Sequence, residues 1–223
     1  MGISGGSASA QHNSEAIVFW ESESGLDHPN LFACEAEVPK STEENAGKFG
    51  LPEAGWTLFG ALVSPKSRGR LRLAGPRPSD PILIEANMLA DPEDMKTATA
   101  CVELFREIGN SAPVRPFVKR EIMPGNLKGP ALKNFIRDAA TSYWHETCTA
   151  KMGRDDMSVV DGKLQVYEID NLRIADGSIL PRITTGNIMA PCVIIGERAA
   201  EILRDKYHIA AAERESSTVV NVA

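Results

Sequence analysis

The stretch TSYWHETCTAKMG, residues 141–153, places one histidine between two aromatic residues and a run of small ones. His145 follows Tyr143 and Trp144, and it is one of four histidines in the chain. An imidazole titrates near neutral pH and can accept a proton at working pH, so His145 is a candidate general base. The simpler alternative is a packed histidine held by one hydrogen bond. A metal site with Cys148 is not expected, because no second pair of Cys or His lies nearby in the sequence.

A second candidate region lies where a predicted strand runs into Asp176, Gly177 and Ser178 and a predicted helix starts after Asn187. The first N–H groups of a helix are unpaired and lie at the positive end of its dipole. This helix start therefore favours an anion or a developing negative charge. Ordinary capping of the helix by Thr185 or Asn187 is the simpler alternative, and it is the more common role of such residues when they are taken alone.

The elements that must position these residues begin with a series of strands. Five strand-like segments are rich in β-branched or aromatic residues and are separated by Gly, Pro, Ser and Asp. They read AIVFW, LFACEAEV, TLFGALVSP, GRLRLAG and ILIEANML. The alternation Arg-Leu-Arg-Leu over residues 70–73 predicts an antiparallel strand with one face in water. We therefore expect an antiparallel sheet here, and two further strands at KLQVY and LRIADGS.

Three helices are predicted. The first begins at Asp91 and Pro92, since Asp caps a helix and the missing N–H of a proline costs nothing in the first turn. It ends at residues 109–110, and its expected buried stripe is Met95, Ala98, Val102, Phe105 and Ile108. The second runs from Pro130 to the region of Tyr143 and leads to His145, and the third is the mostly apolar stretch 189–207. Strands followed by helices predict an α+β fold.

Both candidate regions resemble the C-terminal part of the glucose–methanol–choline (GMC) flavoprotein oxidoreductases. In that family a histidine opens a motif like His-x-x-Gly-Thr-Cys-x-Met-Gly, and HETCTAKMG, residues 145–153, keeps its length, its His, its Thr and its Met-Gly. Cys148 replaces the motif glycine, and Ala150 replaces the motif cysteine. Further matches are Asp176, Ser178, Pro181, Asn187, Pro191, residues 197–200 and the strand entry SPKSRGRLRL. The resemblance covers about residues 16–207.

The resemblance implies a cofactor, FAD, and a substrate, a small-molecule alcohol. By the resemblance, His145 is the base that takes the hydroxyl proton while hydride passes from the same carbon to flavin N5. Asn187 would orient or polarise the substrate oxygen. Two groups of residues would contact the cofactor: Asp176 and Gly177 along its ribityl–phosphate portion, and the helix start at Asn187, Ile188 and Met189 beside the flavin ring.

Residues 1–15 are polar and glycine-rich and are expected to be a flexible leader, and the terminal residues 210–223 a flexible tail. Between them the resemblance implies a substrate-binding sheet domain over 16–142, and over 143–209 the histidine segment with the C-terminal part of an FAD-binding domain. Family members begin with a Gly-x-Gly-x-x-Gly turn that holds the FAD pyrophosphate, and this sequence has no such turn after a strand. A second chain or a missing N-terminal portion is therefore expected to supply it.

Two alternatives stay open from the sequence. One is a flavin-containing lyase on the same scaffold, in which no hydride moves. The other is a non-catalytic remnant or interaction module, which the missing phosphate-binding turn suggests.

Composition excludes some classes of partner. The net charge of −6 and the pI near 5.3 argue against nucleic acid. No apolar run approaches the roughly 20 residues needed to cross a bilayer, and the first residues lack a signal-peptide pattern, so no membrane and a cytoplasmic location are expected. Four scattered cysteines predict reduced thiols.

Overall fold

The computed structural model describes residues 16–210. The predicted leader and, apart from Ala210, the predicted tail lie outside these residues. The described chain divides into two compact units, residues 16–145 with 183–186 and residues 146–182 with 187–210. Assignment of the predicted domains to substrate and flavin binding stays a prediction.

Helices and antiparallel strands alternate irregularly along the chain, which confirms the α+β prediction. The strands are β1 (Ile17–Trp20), β2 (Leu31–Ala36), β3 (Thr57–Leu62), β4 (Arg70–Leu73) and β5 (Ile82–Glu85). The helices are α1 (Glu43–Phe49), α2 (Pro92–Asn110), α3 (Gly129–Ala139) and α4 (Met189–Tyr207), with 3₁₀ turns at Arg115–Phe117 and Gly177–Ile179. No helix within residues 16–210 is long and apolar enough to cross a membrane.

The five predicted strands are all present, but they form two sheets rather than one. Strands β1, β2 and β3 make an antiparallel sheet in that order, and β4 pairs only with β5 among the described strands. The register of the β4–β5 ribbon places Leu71 opposite Ile84 and Leu73 opposite Ile82, so these four side chains share one face. That face is 49–79% exposed. Strand β4 is antiparallel as predicted, but more than the one predicted face is in water, because no element of the described residues covers the apolar face.

The core of the first unit lies between the three-stranded sheet and helices α2 and α3. Its buried residues are Met95, Ala98, Leu132 and Ile136, and Leu62 of β3 packs against them. Asp91 caps α2 as predicted, since its side chain accepts a hydrogen bond from the N–H of Glu93. A Cβ at Gly60 would overlap the sulfur of Cys101, so the missing side chain lets α2 lie close against β3. Burial there raises the pKa of the Cys101 thiol to about 12.

One buried carboxylate holds the strand-entry motif in place. Asp94 of α2 is 4% exposed, and its two oxygens accept hydrogen bonds from the backbone N–H groups of Lys66 and Ser67, at 2.8 and 2.7 Å. Charge-assisted hydrogen bonds of this kind are among the stronger polar contacts in proteins. The segment that resembles the family's strand entry is thereby fixed to the helix that follows it.

Two helices differ from the sequence prediction. Helix α3 ends at Ala139 and not near Tyr143, because Ala140 is already extended, with ψ 124°, and the chain continues without helix to His145. Helix α1 was not predicted, since its seven residues are too short to show a helical period. It is held by tertiary contacts: Asn45 is fully buried, and its amide donates to the carbonyl of Phe135 in α3.

The two strands predicted at KLQVY and LRIADGS are wrong. The described residues there form only isolated bridges, Val160 with Val166 and Gln165 with Arg173. Leu164 within the first segment, and Glu168 and Asn171 between the two segments, have a left-handed backbone, with φ of 61–65°. The second unit instead packs these loops against α4 around the buried side chains of Val160, Leu164, Ile179 and Ala199.

The substitution of Cys148 for the motif glycine has a conformational consequence. Cys148 has φ 73°, in the left-handed region that favours glycine. Its backbone N–H donates to the carbonyl of Gly177 at 3.4 Å, so the position is fixed by a neighbouring segment. A residue with a Cβ is strained there.

We therefore expect Cys148→Gly to be more stable than Cys148→Ala by about 1 kcal/mol, since glycine relieves the left-handed strain while both variants lose the thiol. At the ordinary helical position Ala46 in α1, Ala46→Gly should instead lower the free energy of unfolding by about 0.5–1 kcal/mol. Urea denaturation of the three variants and the parent chain measures both differences. A Cys148→Gly variant less stable than Cys148→Ala would contradict the strain.

Candidate functional site

His145 is placed by an aromatic connection to the three-stranded sheet. The ring centroids of Phe32 in β2 and Tyr143 are 5.9 Å apart, and those of Tyr143 and His145 are 5.7 Å apart in an edge-to-face arrangement. The hydroxyl of Tyr143 also lies 3.8 Å from the sulfur of Cys34. Partial burial and this contact raise the pKa of Tyr143, so it stays a neutral phenol. The sheet thus fixes Tyr143, and Tyr143 supports the imidazole.

One ring nitrogen of His145 has no partner in the described part of the chain. Nδ1 is buried and makes no hydrogen bond there. Leaving a buried polar atom without a partner costs about 1–3 kcal/mol, and a catalytic role or a further bound group is one explanation for such an atom. The observation favours the functional interpretation of His145.

Trp144 is held in an unusual conformation beside His145. Its φ is 58°, its side chain is 81% exposed, and its backbone N–H donates to the hydroxyl of Ser142 at 3.0 Å. A bulky residue in the left-handed region costs about 1–3 kcal/mol. No local pattern in the sequence marks Trp144 as more than a neighbour of His145. An adjacent serine, whose hydroxyl can hold a turn, is the signal that was available.

In the second unit, the two motif regions lie side by side. The N–H groups of Cys148, Ala150 and Met152 donate to the carbonyls of Gly177, Ser178 and Ile179, at 3.4, 2.9 and 2.7 Å. The histidine motif and the Asp176 turn are 24 or more residues apart in sequence, at Met152 and Asp176. Backbone pairing therefore assembles one structure from the two segments that carried the family resemblance.

The Asp176 turn is packed against the start of α4. Gly177 is buried, and a Cβ there would lie 3.2 Å from the sulfur of Cys192 and 3.8 Å from Cδ1 of Ile188. Asp176 itself is exposed and accepts a hydrogen bond from the N–H of Ser178. Hydrogen bonds from the hydroxyl and then the N–H of Ser178 lower the pKa of Asp176. Its carboxylate is thus ionised and open to a further hydrogen-bond donor.

The N-terminus of α4 has no side-chain cap. Ile188 occupies the cap position, and no side chain among residues 16–210 caps the free N–H groups of the first turn. The capping role considered for Thr185 or Asn187 is therefore wrong. Asn187 is exposed and Met189 is 72% exposed, so the helix start is open to a ligand.

The predicted site residues fall in both units. Asp176, Gly177, Asn187, Ile188 and Met189 belong to the second unit, where a Cβ at Gly177 would meet Ile188. His145 is the last residue of the first unit's main segment. Within residues 16–210, no three His, Cys, Asp or Glu side chains gather as a metal site.

Comparisons with known proteins agree with the motifs. Residues 65–196 match the C-terminal family model described as GMC oxidoreductase. An alcohol dehydrogenase [acceptor] of Pseudomonas putida is 41% identical over 162 residues, which cover 70% of this chain and 29% of that protein. An oxygen-dependent choline dehydrogenase of Pseudomonas fluorescens (strain SBW25) is 36% identical over 200 residues, which cover 88% of this chain and 35% of that protein.

Solved structures share the fold. Pyridoxine 4-oxidase from Mesorbium loti superimposes with a TM-score of 0.78 at 27% identity, over 90% of this chain and 39% of that chain. A fungal aryl-alcohol oxidase gives a TM-score of 0.67 at 26% identity, over 81% of this chain and 28% of that chain. The chain spans about a third of the length of the proteins it matches. Since the family model covers more than half of its residues, the chain belongs to the GMC oxidoreductase family.

Proposed function

We propose that this chain is the C-terminal part of an FAD-dependent oxidoreductase that acts on the CH–OH group of a small-molecule alcohol. The observation that carries the proposal is the pairing of residues 148–152 with 177–179, which joins the histidine motif to the turn that leads to α4. The relatives' names support the reaction class, since they include an alcohol dehydrogenase and a choline dehydrogenase. No observation favours a lyase over an oxidoreductase.

The residues of the second unit fit FAD. The open start of α4 offers unpaired N–H groups at the positive end of a 19-residue helix, a suitable environment for negative charge on a reduced flavin ring. Asp176 offers an ionised, exposed carboxylate to hydroxyl groups of a ribityl chain. Gly177 lets this turn pack close to the helix start. When bound, the flavin supplies the acceptor for the hydride of the alcohol carbon.

In this proposal His145 is the general base. Its ring has a buried nitrogen, Nδ1, without a partner among the described residues, and the imidazole is the group that would accept the hydroxyl proton. The edge of Tyr143 fixes the ring orientation. Asn187, exposed and without a capping role, is available to donate its amide N–H to the substrate oxygen. It would hold the alcohol while His145 accepts the proton.

A further polypeptide segment completes the proposed enzyme. Helix α4 packs on its own unit through Ile195, Ala199 and Ile202, yet it carries a second apolar stripe. We call this surface the second α4 stripe. Its residues are spaced alternately by four and by three positions: Met189, Val193, Gly196, Ala200 and Leu203. All five residues are exposed, and a Cβ at Gly196 would meet nothing within 4 Å. Small residues at the centre of the stripe allow another helix to approach closely.

Replacement of the proposed base should abolish turnover without loss of the cofactor. In the flavin-loaded assembly, we expect His145→Ala to lower kcat and kcat/KM together by about 10²–10⁴-fold, because a general base acts in the transition state. Flavin content should stay near the parent value. The control is His28→Ala, a histidine bonded only to Ser64 in the same unit. Equal turnover in His145→Ala and His28→Ala would return His145 to a structural role.

Two substitutions at Asn187 distinguish the effect of an added charge from the effect of its hydrogen-bond donor. An aspartate at a helix start is favourable for folding, so Asn187→Asp should keep the parent melting temperature. It should nonetheless be nearly inactive, because its negative charge repels the charge that develops beside it. Asn187→His keeps a hydrogen-bond donor and should retain part of the activity. Melting curves and stopped-flow flavin reduction test this pair, and an Asp variant that reduces flavin at the parent rate would contradict the role.

A larger side chain in the second α4 stripe should block the further segment while sparing this chain. Gly196→Leu improves helix propensity by about 1 kcal/mol and meets open space, so the isolated chain should be at least as stable as the parent. Co-purification with a flavin-bearing segment should nevertheless be lost. Gly47→Leu in α1 is the matched control, because it is also an exposed helical glycine with no neighbour within 4 Å. Normal association of Gly196→Leu would refute the stripe as the docking surface.

A further inference from the structure

We propose that Trp144, Tyr143 and Phe19 form an aromatic surface that binds the apolar body of an uncharged alcohol beside His145. This inference names the substrate class and rests on the proposed function. The surface lies within the first unit, and its members are 81%, 40% and 43% exposed. An alcohol with an aryl or bulky alkyl group would place that group against these rings and its hydroxyl near the imidazole.

Trp144 provides the first argument. Its ring is almost fully in solvent, although its backbone is held in the left-handed region by the hydroxyl of Ser142. Folding gains little from an exposed ring in a strained conformation, and glycine or asparagine would suit the backbone better. Such outliers are concentrated at binding and catalytic sites. The strain is thus explained if the ring contacts a ligand next to His145.

The aromatic contacts provide the second argument, because they are continuous from the sheet to the imidazole. Ring centroids are 5.4 Å apart for Phe19 and Phe32, 5.9 Å for Phe32 and Tyr143, and 5.9 Å for Tyr143 and Trp144. Phe32 is buried at 6% exposure and supports the exposed rings on either side of it. The surface is therefore a rigid one, which lowers the entropic cost of binding a ligand.

Charge on the same sheet face determines the class of alcohol. The register places Ile17, Phe19, Phe32, Cys34, Phe59 and Ala61 on this face. None of these six residues is charged, and the carboxylate of Glu35 in β2 belongs to the opposite face, where it accepts the N–H of Ala16. A charged group that does reach the face is cationic: Nζ of Lys40 lies 5.9 Å from the ring of Phe59.

This charge pattern disfavours a quaternary ammonium substrate. Aromatic rings attract a cation, but the positive charge of Lys40 repels a quaternary ammonium group. The six-residue face also has no carboxylate to compensate for the hydration that the ammonium group would lose on binding. An uncharged aryl or alkyl alcohol avoids this cost and gains contact with the rings. The aromatic surface therefore selects neutral apolar alcohols over choline.

The test is direct binding to the full chain, which needs neither flavin nor turnover. Benzyl alcohol and choline are titrated separately, and saturation-transfer NMR gives the apparent Kd for each. Benzyl alcohol should bind at least tenfold more tightly than choline. Trp144→Ala should raise the apparent Kd for benzyl alcohol by roughly tenfold, as expected for loss of a stacked ring. Trp20→Ala is the matched control, because Trp20 is 51% exposed on the opposite face of β1.

A second variant distinguishes binding from folding. Trp144→Gly should raise the melting temperature, because glycine relieves the left-handed strain. It should weaken the binding of benzyl alcohol as much as Trp144→Ala does. Choline binding as tight as benzyl alcohol, absence of benzyl alcohol binding, or equal weakening by Trp20→Ala would each overturn the surface. If benzyl alcohol binds through Trp144 but the flavin-loaded assembly shows no His145-dependent turnover, the proposed function fails and the binding surface stands.

Discussion

Backbone pairing between residues 148–152 and 177–179 is the constraint on which the second unit depends. Three N–H groups of the first segment donate to three successive carbonyls of the second, and this brings the histidine motif against the turn before α4. Ile179, 1% exposed, then anchors the turn in the core with Val160 and Ala199. The positions of Gly177 and of the first residues of α4 follow from that anchoring, since a Cβ at Gly177 would already touch Cys192.

Two apolar surfaces of the described chain are exposed, one on the β4–β5 ribbon and one on α4. The β4–β5 ribbon exposes a face of four Leu and Ile side chains, and α4 exposes a second apolar stripe beside the one that packs on its own unit. A two-stranded ribbon is marginally stable alone, and a helix that is apolar on two sides is usually buried on both. The matched part of this chain covers 29% and 35% of the length of two relatives. The uncovered surfaces support the proposal that a further polypeptide segment packs on this chain.

Two strained backbone positions lie at the histidine motif. Trp144 and Cys148 flank the start of the HETCTAKMG motif, and both have positive φ without being glycine. Neighbouring contacts hold each of them: the hydroxyl of Ser142 for Trp144, and the carbonyl of Gly177 for Cys148. Strain that is maintained by specific hydrogen bonds beside a buried, unpartnered imidazole nitrogen is typical of a site built for a ligand.

The sequence by itself determined the elements with strong local signals. All five strands were predicted, α2 begins at its Asp91 cap, and α4 spans residues 189–207 as predicted, because β-branched runs, caps and long apolar periods act over neighbouring residues. Motif spacing also identified the family and the candidate residues His145 and Asn187. Tertiary structure decided what depends on partners distant in sequence. It ended α3 early, formed α1 around buried Asn45, and replaced two predicted strands by loops with left-handed turns. It also left α4 without a side-chain cap and Trp144 exposed, since the conformation of a cap or a turn is set by hydrogen bonds and packing that no local pattern records.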